Sequence, residues 1–454
     1  MKLKQYFNFD LKKYLFVILV LIGIKIVFYE KNFVTYDELY SLINYTNYYT
    51  LLLKDNLNNH IINSFFGIII GNFSYKIEYL RFTSFLIFLS GIFLINKRFK
   101  SKLTIILILL FFTFGNNFFV YSFLYRGYPY YFFLFALAFY FLDQKILTEL
   151  KKKIILIILS VLTAFAPSNI LLIFPLIFYF KKKFDKKIIF IYYFLLTLVL
   201  IFPNIFITGI YSLRKNINLE NINYLYFYDL DNLLNIILNG LKNYYNLIFN
   251  SYEKVNFSNK IQIFIRDDKI ILYSYLFFLC SIFIKIYKKY KIDNFDKIFI
   301  THILLIIILS NAYAARIYYP FYVFYFIYID KILNYYQTKL KLIKKTINIL
   351  LIILLSFCAT LNLDKKLSSN YAIGIHYSKI KVNSLKYESM FKNNCNIENN
   401  LPNNPMGIDI YYYNYLITCK KKIDIFLIKK IQKNYYKIKY LKDEKIAQNM
   451  IFRN

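Results

Sequence analysis

Three stretches of this chain carry no charged side chain at all: Leu103 to Tyr125, Ile154 to Phe180 and Ile188 to Leu213. Each meets or exceeds the roughly 18 to 20 residues that cross the hydrocarbon of a bilayer. A water-soluble fold has no place to hide so many long apolar runs. The sequence therefore predicts an all-α polytopic membrane protein.

Composition agrees. Of 454 residues, 58% are apolar and 21% aromatic, against 18% charged. That excludes disordered, collagen-like and disulfide-scaffold classes. The formal net charge of +33 is less informative than its size suggests. Lys, Asn, Ile, Tyr and Phe are abundant together while Ala, Gly and Trp are scarce, the signature of an AT-rich coding background. The charge is thus no argument for a nucleic-acid partner.

Where the lysines sit does carry information, because positive residues flanking spans are retained on the cytoplasmic side. Lys12 and Lys13 precede an apolar stretch from Tyr14 to Tyr29 with no small-residue cleavage site, which predicts an uncleaved first span. Basic clusters recur at Lys97 to Lys102, Lys145 to Lys153, Lys181 to Lys187, Lys285 to Lys297 and Lys331 to Lys345. Placing all of them inside predicts about eleven spans, near 14–29, 81–96, 103–121, 127–142, 153–166, 168–180, 188–208, 270–287, 296–313, 317–330 and 346–362. The run from Ile154 to Phe180 is read as two short helices broken at Ala166-Pro167-Ser168-Asn169, since a single span would put a lysine triplet outside. The amino terminus is then inside and the carboxyl tail outside.

This divides the chain into a transmembrane region, 1–361, and an extracytoplasmic C-terminal region, 362–454. Two outer loops stand out, 30–80 and 209–269. The first contains Ile61 to Ile70, too short to span and suited to a helix lying in the interface. The second mixes Tyr, Leu and Asn as amphipathic surface helices do. The tail has apolar runs only at Ile408 to Ile417 and Ile423 to Ile428, enough for a small water-exposed domain. Its two cysteines, Cys395 and Cys419, face an oxidising exterior that allows either a bridge or a reduced pair. Cys280 and Cys358 lie within spans as packing residues.

No Walker glycine loop, GxSxG, HExxH or DxD motif is present. Polar residues close to the membrane are the better lead, since charge near hydrocarbon is costly. On the topology above, Lys25, Asp37, Glu38, His60, Arg81, Arg126 and Arg316 all fall on the outer side. Singly, each has an ordinary explanation: an acidic doublet in a loop is solvated, an arginine at a span end reaches for headgroups, and a lone histidine is a structural hydrogen-bonder. Their gathering on one face argues for a site.

The order of these residues resembles a family. Thr35-Tyr36-Asp37-Glu38-Leu39-Tyr40-Ser41, just past the first span, is similar to the opening motif of the GT-C membrane glycosyltransferases, which include protein O-mannosyltransferases and the lipid A aminoarabinose transferase. Asn59-His60, Gly71-Asn72-Phe73-Ser74 and Tyr79-Leu80-Arg81-Phe82-Thr83-Ser84 resemble that family's His-containing stretch, G-x-S turn and L-R-x-x-S element. Tyr121-Ser122-Phe123-Leu124-Tyr125-Arg126-Gly127-Tyr128 looks like its Y-S-x-x-x-R-x-Y element. The likeness covers about residues 10 to 145, with Arg316-Ile317-Tyr318-Tyr319-Pro320 as a further point. It departs where Ile61 follows His60 in place of proline and where the Y-S-x-x-x-R element lacks its usual acid.

The resemblance implies a GT-C-like bundle in a bacterial inner membrane, transferring a sugar from a polyprenyl phosphate donor to a lipid, glycan or protein acceptor on the extracytoplasmic face. Asp37 is implied as general base with Glu38 beside it, and Arg126, Arg316 and, more weakly, Arg81 as ligands of the donor phosphate. Tyr36, His60, Tyr128 and Lys25 are further substrate-contact candidates. No cofactor is required. Asp37, Glu38 and His60 are residue types that could hold a divalent metal, but their spacing does not demand one. Two other readings stay open. A cell-envelope polysaccharide polymerase or ligase would concentrate function in 209–269, and a transporter would use the buried charges as a pathway and show repeat symmetry.

Overall fold

The computed structural model describes residues 61–71, 76–101, 116–142, 148–165, 170–180, 230–249, 269–287, 292–309, 321–337, 386–392 and 405–419, with isolated positions at 19–42, 104–108 and 191–209, and 319 and 395. Among these the regular structure is helical throughout. In chain order the helices are α1 (Ile61–Gly71), α2 (Ile77–Asn96), α3 (Asn116–Tyr121), α4 (Tyr128–Leu142), α5 (Glu149–Phe165), α6 (Ile170–Phe180), α7 (Leu230–Phe249), α8 (Lys269–Tyr287), α9 (Asn294–Leu309), α10 (Phe321–Gln337) and α11 (Pro405–Cys419). Among the described residues, α2 is the helix both long and apolar enough to cross a bilayer.

The centre of the bundle is α10. Every residue from Phe321 to Asp330 is buried, as expected of a helix apolar on all sides. Aromatic rings from its neighbours surround it. Phe118 of α3 lies 4.8 Å from Tyr322, Phe278 of α8 is 4.8 Å from Tyr328, and Phe295 of α9 is 5.9 Å from Phe324. On another side α2 packs along α4, where Phe88 and Phe132 meet at 5.0 Å.

Hydrogen bonds at the helix ends show which ends lie together. Arg98, just past α2, donates to the Phe139 carbonyl near the end of α4 at 3.0 Å, and Asn294 at the start of α9 donates to the Tyr179 carbonyl of α6 at 3.0 Å. Asp330 of α10 accepts from the backbone N–H groups of Lys100 and Ser101 and from the Thr104 hydroxyl, at 2.8 to 3.1 Å. The start of α9 closes a reciprocal cap. The Asp293 carboxylate accepts from Phe295 N–H at 2.8 Å while Asp296 accepts from Asp293 N–H at 2.9 Å. Lys285 and the Tyr328 hydroxyl donate to Asp296, and Lys331 pairs with Asp293 at 2.5 Å. Burial opposes ionisation of Asp293, but Lys331 and the Asp296 N–H hold its carboxyl below the usual range. Residues from three of the predicted basic clusters, 97–102, 285–297 and 331–345, thus meet at one end of the bundle.

Several sequence expectations shift at their boundaries. The second predicted span begins at Ile77, not at 81, so Arg81 sits one turn inside α2 rather than at its mouth. The helix predicted at 317–330 runs instead from Phe321 to Gln337, which places Asp330 and Lys331 on it. The stretch from Ile154 to Phe180 belongs to two helices, α5 and α6. Thr148 opens α5, accepting from the Lys151 N–H at 3.4 Å. The span predicted at 14–29 is described only at residues 19–21, 23 and 24, and the one at 346–362 lies outside the described residues.

α7 falls in the predicted second outer loop and is amphipathic. Leu234, Leu238 and Leu241 form an exposed apolar stripe, while Gly240 faces inward so closely that an added Cβ would lie 1.9 Å from the Ile205 carbonyl oxygen. At the tail, the helix 386–392 packs on α11: Phe391 meets Tyr411 at 4.8 Å and Tyr415 at 5.3 Å. Cys395 and Cys419 are bridged. Tyr387, Phe391, Ile410 and Tyr413 share one apolar cluster with Leu39 of the first loop and Leu80 of α2.

Candidate active site

At the bundle end opposite the Asp330 network, three sequence-distant segments converge on one carboxylate. The local fold begins with Thr35-Tyr36-Asp37-Glu38, whose T-x-x-E spacing is that of a capping box. The Glu38 N–H donates to the Thr35 hydroxyl at 3.4 Å, and the Thr35 N–H and hydroxyl donate to Glu38 Oε2 at 3.0 and 2.9 Å. The Leu39 N–H to Thr35 carbonyl bond at 2.9 Å closes the turn.

Glu38 then does a second job. Arg81 of α2 binds it side-on, Nε to Oε1 at 2.8 Å and Nη2 to Oε2 at 2.6 Å, with both side chains fully buried. The Tyr125 N–H adds a bond to Oε1 at 2.8 Å. Burial opposes ionisation of Glu38, yet the Arg81 guanidinium and the Tyr125 and Thr35 N–H groups hold its carboxyl below the ordinary value. A carboxylate so supplied with donors stays an anion and makes a poor base.

The Ser122 to Arg126 loop is buried throughout. Its turn is closed by the Arg126 N–H to Leu124 carbonyl bond at 2.7 Å. Arg126 Nη1 donates to Ser41 Oγ at 2.9 Å, a second tie between this loop and the first one. Phe123 lies with its ring centroid 5.9 Å from the Arg81 guanidinium carbon. Tyr125 reaches α1, where a Cβ added to Gly67 would fall 1.6 Å from its hydroxyl oxygen. Burial and the nearby Tyr130 raise the Tyr125 phenol, against the pull of Arg126, so it stays neutral.

The structure therefore brings Glu38, Arg81 and Arg126 together. Tyr128 is two residues further on, 4.8 Å from Tyr121 and 6.3 Å from Tyr319 between ring centroids. Lys25, Tyr36, Asp37, His60 and Arg316 lie outside the described residues. Glu38, expected with Asp37 as a catalytic carboxylate, the base itself being Asp37, has both oxygens taken by protein donors. Arg81, expected as a phosphate ligand, commits Nε and Nη2 to Glu38. Among the described residues no group of three His, Cys, Asp or Glu side chains could hold a metal.

Thr35, Ser41 and Tyr125 stand inside the quoted motifs without a role of their own. The capping-box spacing was a usable signal for Thr35. Nothing local marks Ser41 or the Tyr125 N–H, because their partners, Arg126 and Glu38, lie far along the chain. Comparison with family models, curated proteins and solved structures finds no match to this chain.

Proposed function

We propose that this chain is a membrane-embedded glycosyltransferase of GT-C-like design, moving a sugar from a polyprenyl phosphate to an acceptor at the extracytoplasmic face. The observation that carries the reading is the joining of Glu38, Arg81 and the Tyr125-Arg126 loop at one end of the bundle, away from the lysine-bearing end. These residues lie in segments that the sequence likeness quoted, and their meeting supports the reading. Exposed apolar side chains such as Phe194, Val199 and Phe283 support a lipid-facing exterior.

In this reading the acceptor hydroxyl oxygen attacks the sugar's anomeric carbon and gives its proton to Asp37. The bond from that carbon to the phosphate oxygen breaks, and the polyprenyl phosphate leaves with the electron pair. Phosphate is already a competent leaving group, so one carboxylate base suffices. Asp37 is assigned as the base from its place in the motif that carries the likeness. Arg126 and Arg316 stabilise the phosphate charge as it develops.

The test is incubation of the purified protein with a panel of polyprenyl phosphate sugars, following release of the lipid phosphate. Release by wild type and its loss in Asp37→Asn support the reading. No release from any donor, or wild-type release by Asp37→Asn, overturns it.

A further inference from the structure

α1 lies against the candidate site through one face. A Cβ added to Gly67 would fall 1.6 Å from the Tyr125 hydroxyl oxygen, and the Phe66 ring sits 5.2 Å from that of Tyr130. At 3.6 residues per turn, Asn63 lies one turn before these two contacts and on the face between them. Phe65 and Ile69 on the opposite face are exposed, so α1 can lift from Tyr125 without breaking contacts on that side.

Asn63 is fully buried, and neither its Nδ2 nor its Oδ1 has a hydrogen-bond partner in the protein. A buried amide left unpaired is costly, and such a group persists where it serves another end. Its chemistry narrows the partner, because Oδ1 only accepts and Nδ2 only donates. A phosphate would leave Oδ1 unpaired and an ammonium would leave Nδ2 unpaired. Two neighbouring hydroxyls satisfy both. Asn63 is one turn from the contact with Tyr125, whose chain neighbour Arg126 is the candidate phosphate ligand, so the hydroxyls expected nearest to it belong to the sugar on that phosphate.

We propose that Asn63 is a specificity-determining residue for the donor sugar: as α1 lifts from Tyr125, its Oδ1 accepts from one sugar hydroxyl and its Nδ2 donates to the next. The naming of those hydroxyls as the donor's rests on the transferase reading above. A site built to pair hydroxyls rejects a ligand that lacks them, since its own polar groups then stay unpaired. A purely structural amide would instead hold α1 in place and leave sugar recognition untouched, which gives the experiment its contrast.

Asn63→Leu removes both polar groups and keeps a side chain of similar reach. Because the amide has no partner in the protein, the variant should unfold in detergent at or above the wild-type temperature. Equilibrium binding of the full-length proteins is then measured with bare polyprenyl phosphate and with the panel of polyprenyl phosphate sugars. Wild type should prefer at least one sugar-bearing lipid to the bare one. Asn63→Leu should weaken that preference about tenfold, as expected for loss of two neutral hydrogen bonds, at unchanged affinity for the bare lipid. Should Asn63→Leu fail to fold, Asn63→Ala gives the same comparison. No preference in wild type, or the same preference in the variant, overturns the proposal, and a lower unfolding temperature with unchanged preference marks the amide as structural. If wild type shows the preference but releases no lipid phosphate, the transferase reading fails and the role of Asn63 stands. Release by wild type with the preference intact in the variant is the converse.

Discussion

Glu38 and Arg81 meet side-on at 2.8 and 2.6 Å inside the protein, 43 residues apart in sequence. Neither charge touches water. A pair so placed is held less by its own attraction than by the cost of leaving either member alone. It therefore acts as a pin, fixing the first loop to α2 in one register.

That logic predicts strong non-additivity. Glu38→Gln and Arg81→Met should each lower stability by about 3–5 kcal/mol, because each strands a buried charge. The double variant should recover most of the loss. Thermal unfolding of the four proteins in detergent measures the coupling directly.

The same pair sets an acid limb. Since the Glu38 pKa is lowered from its ordinary 4.5, its stabilising contribution is fully present above that value. It is lost as pH falls through the lower folded-state pKa. Unfolding midpoints should thus be insensitive to this group above about pH 5 and decline below 4.5. Glu38→Gln should remove that part of the decline.

Gly67 offers a steric test. An alanine methyl there would sit 1.6 Å from the Tyr125 hydroxyl oxygen, so the ring must move and draw the 122–126 loop with it. Gly67→Ala should cost about 1–3 kcal/mol. It should also raise hydrogen exchange at the Tyr125 N–H, whose acceptor is Glu38. An unchanged exchange rate there would show that the loop is not coupled to α1.

Arg126 tests the donor-phosphate assignment. Arg126→Ala should weaken binding of polyprenyl phosphate about tenfold at low salt, with the difference shrinking as salt is added. Equilibrium binding at two ionic strengths reads the effect. Equal affinity for both proteins would remove Arg126 from the phosphate site.

The opposite end supplies a control. Asp330→Ala strips the partner from two backbone N–H groups and from Thr104, at a cost of about 3 kcal/mol. Because this network is remote from Glu38, donor affinity should stay at the wild-type value in the folded fraction.

Much of the helical layout was legible in the sequence, because it is written locally. The charge-free run from Ile154 to Phe180 is read as two helices, and α5 and α6 are two, although α5 begins at Glu149 rather than at 153. The stretch Ile61 to Ile70 forms a helix of nearly that extent. Boundaries near charges were read less well. Lys76 and Glu78 looked like loop, yet α2 starts at Ile77, since a buried arginine a turn further in needs the helix to reach Glu38. Likewise Asp330 looked like a span terminus and instead lies within α10, where a carboxylate is tolerated because three donors from the 100–104 segment meet it.

The sequence by itself determined that the chain is all-helical, and it set Glu38, Arg81 and Arg126 in one neighbourhood. Those are consequences of hydrophobic patterning and of charge kept near an interface. Only the tertiary structure decided what each charge does there. Whether a carboxylate is a base or an anchor depends on how many donors surround it, and those around Glu38 come from residues 35, 81 and 125. The tail's packing against Leu39 and Leu80 likewise appeared only in the fold, because its partners lie at the far end of the chain.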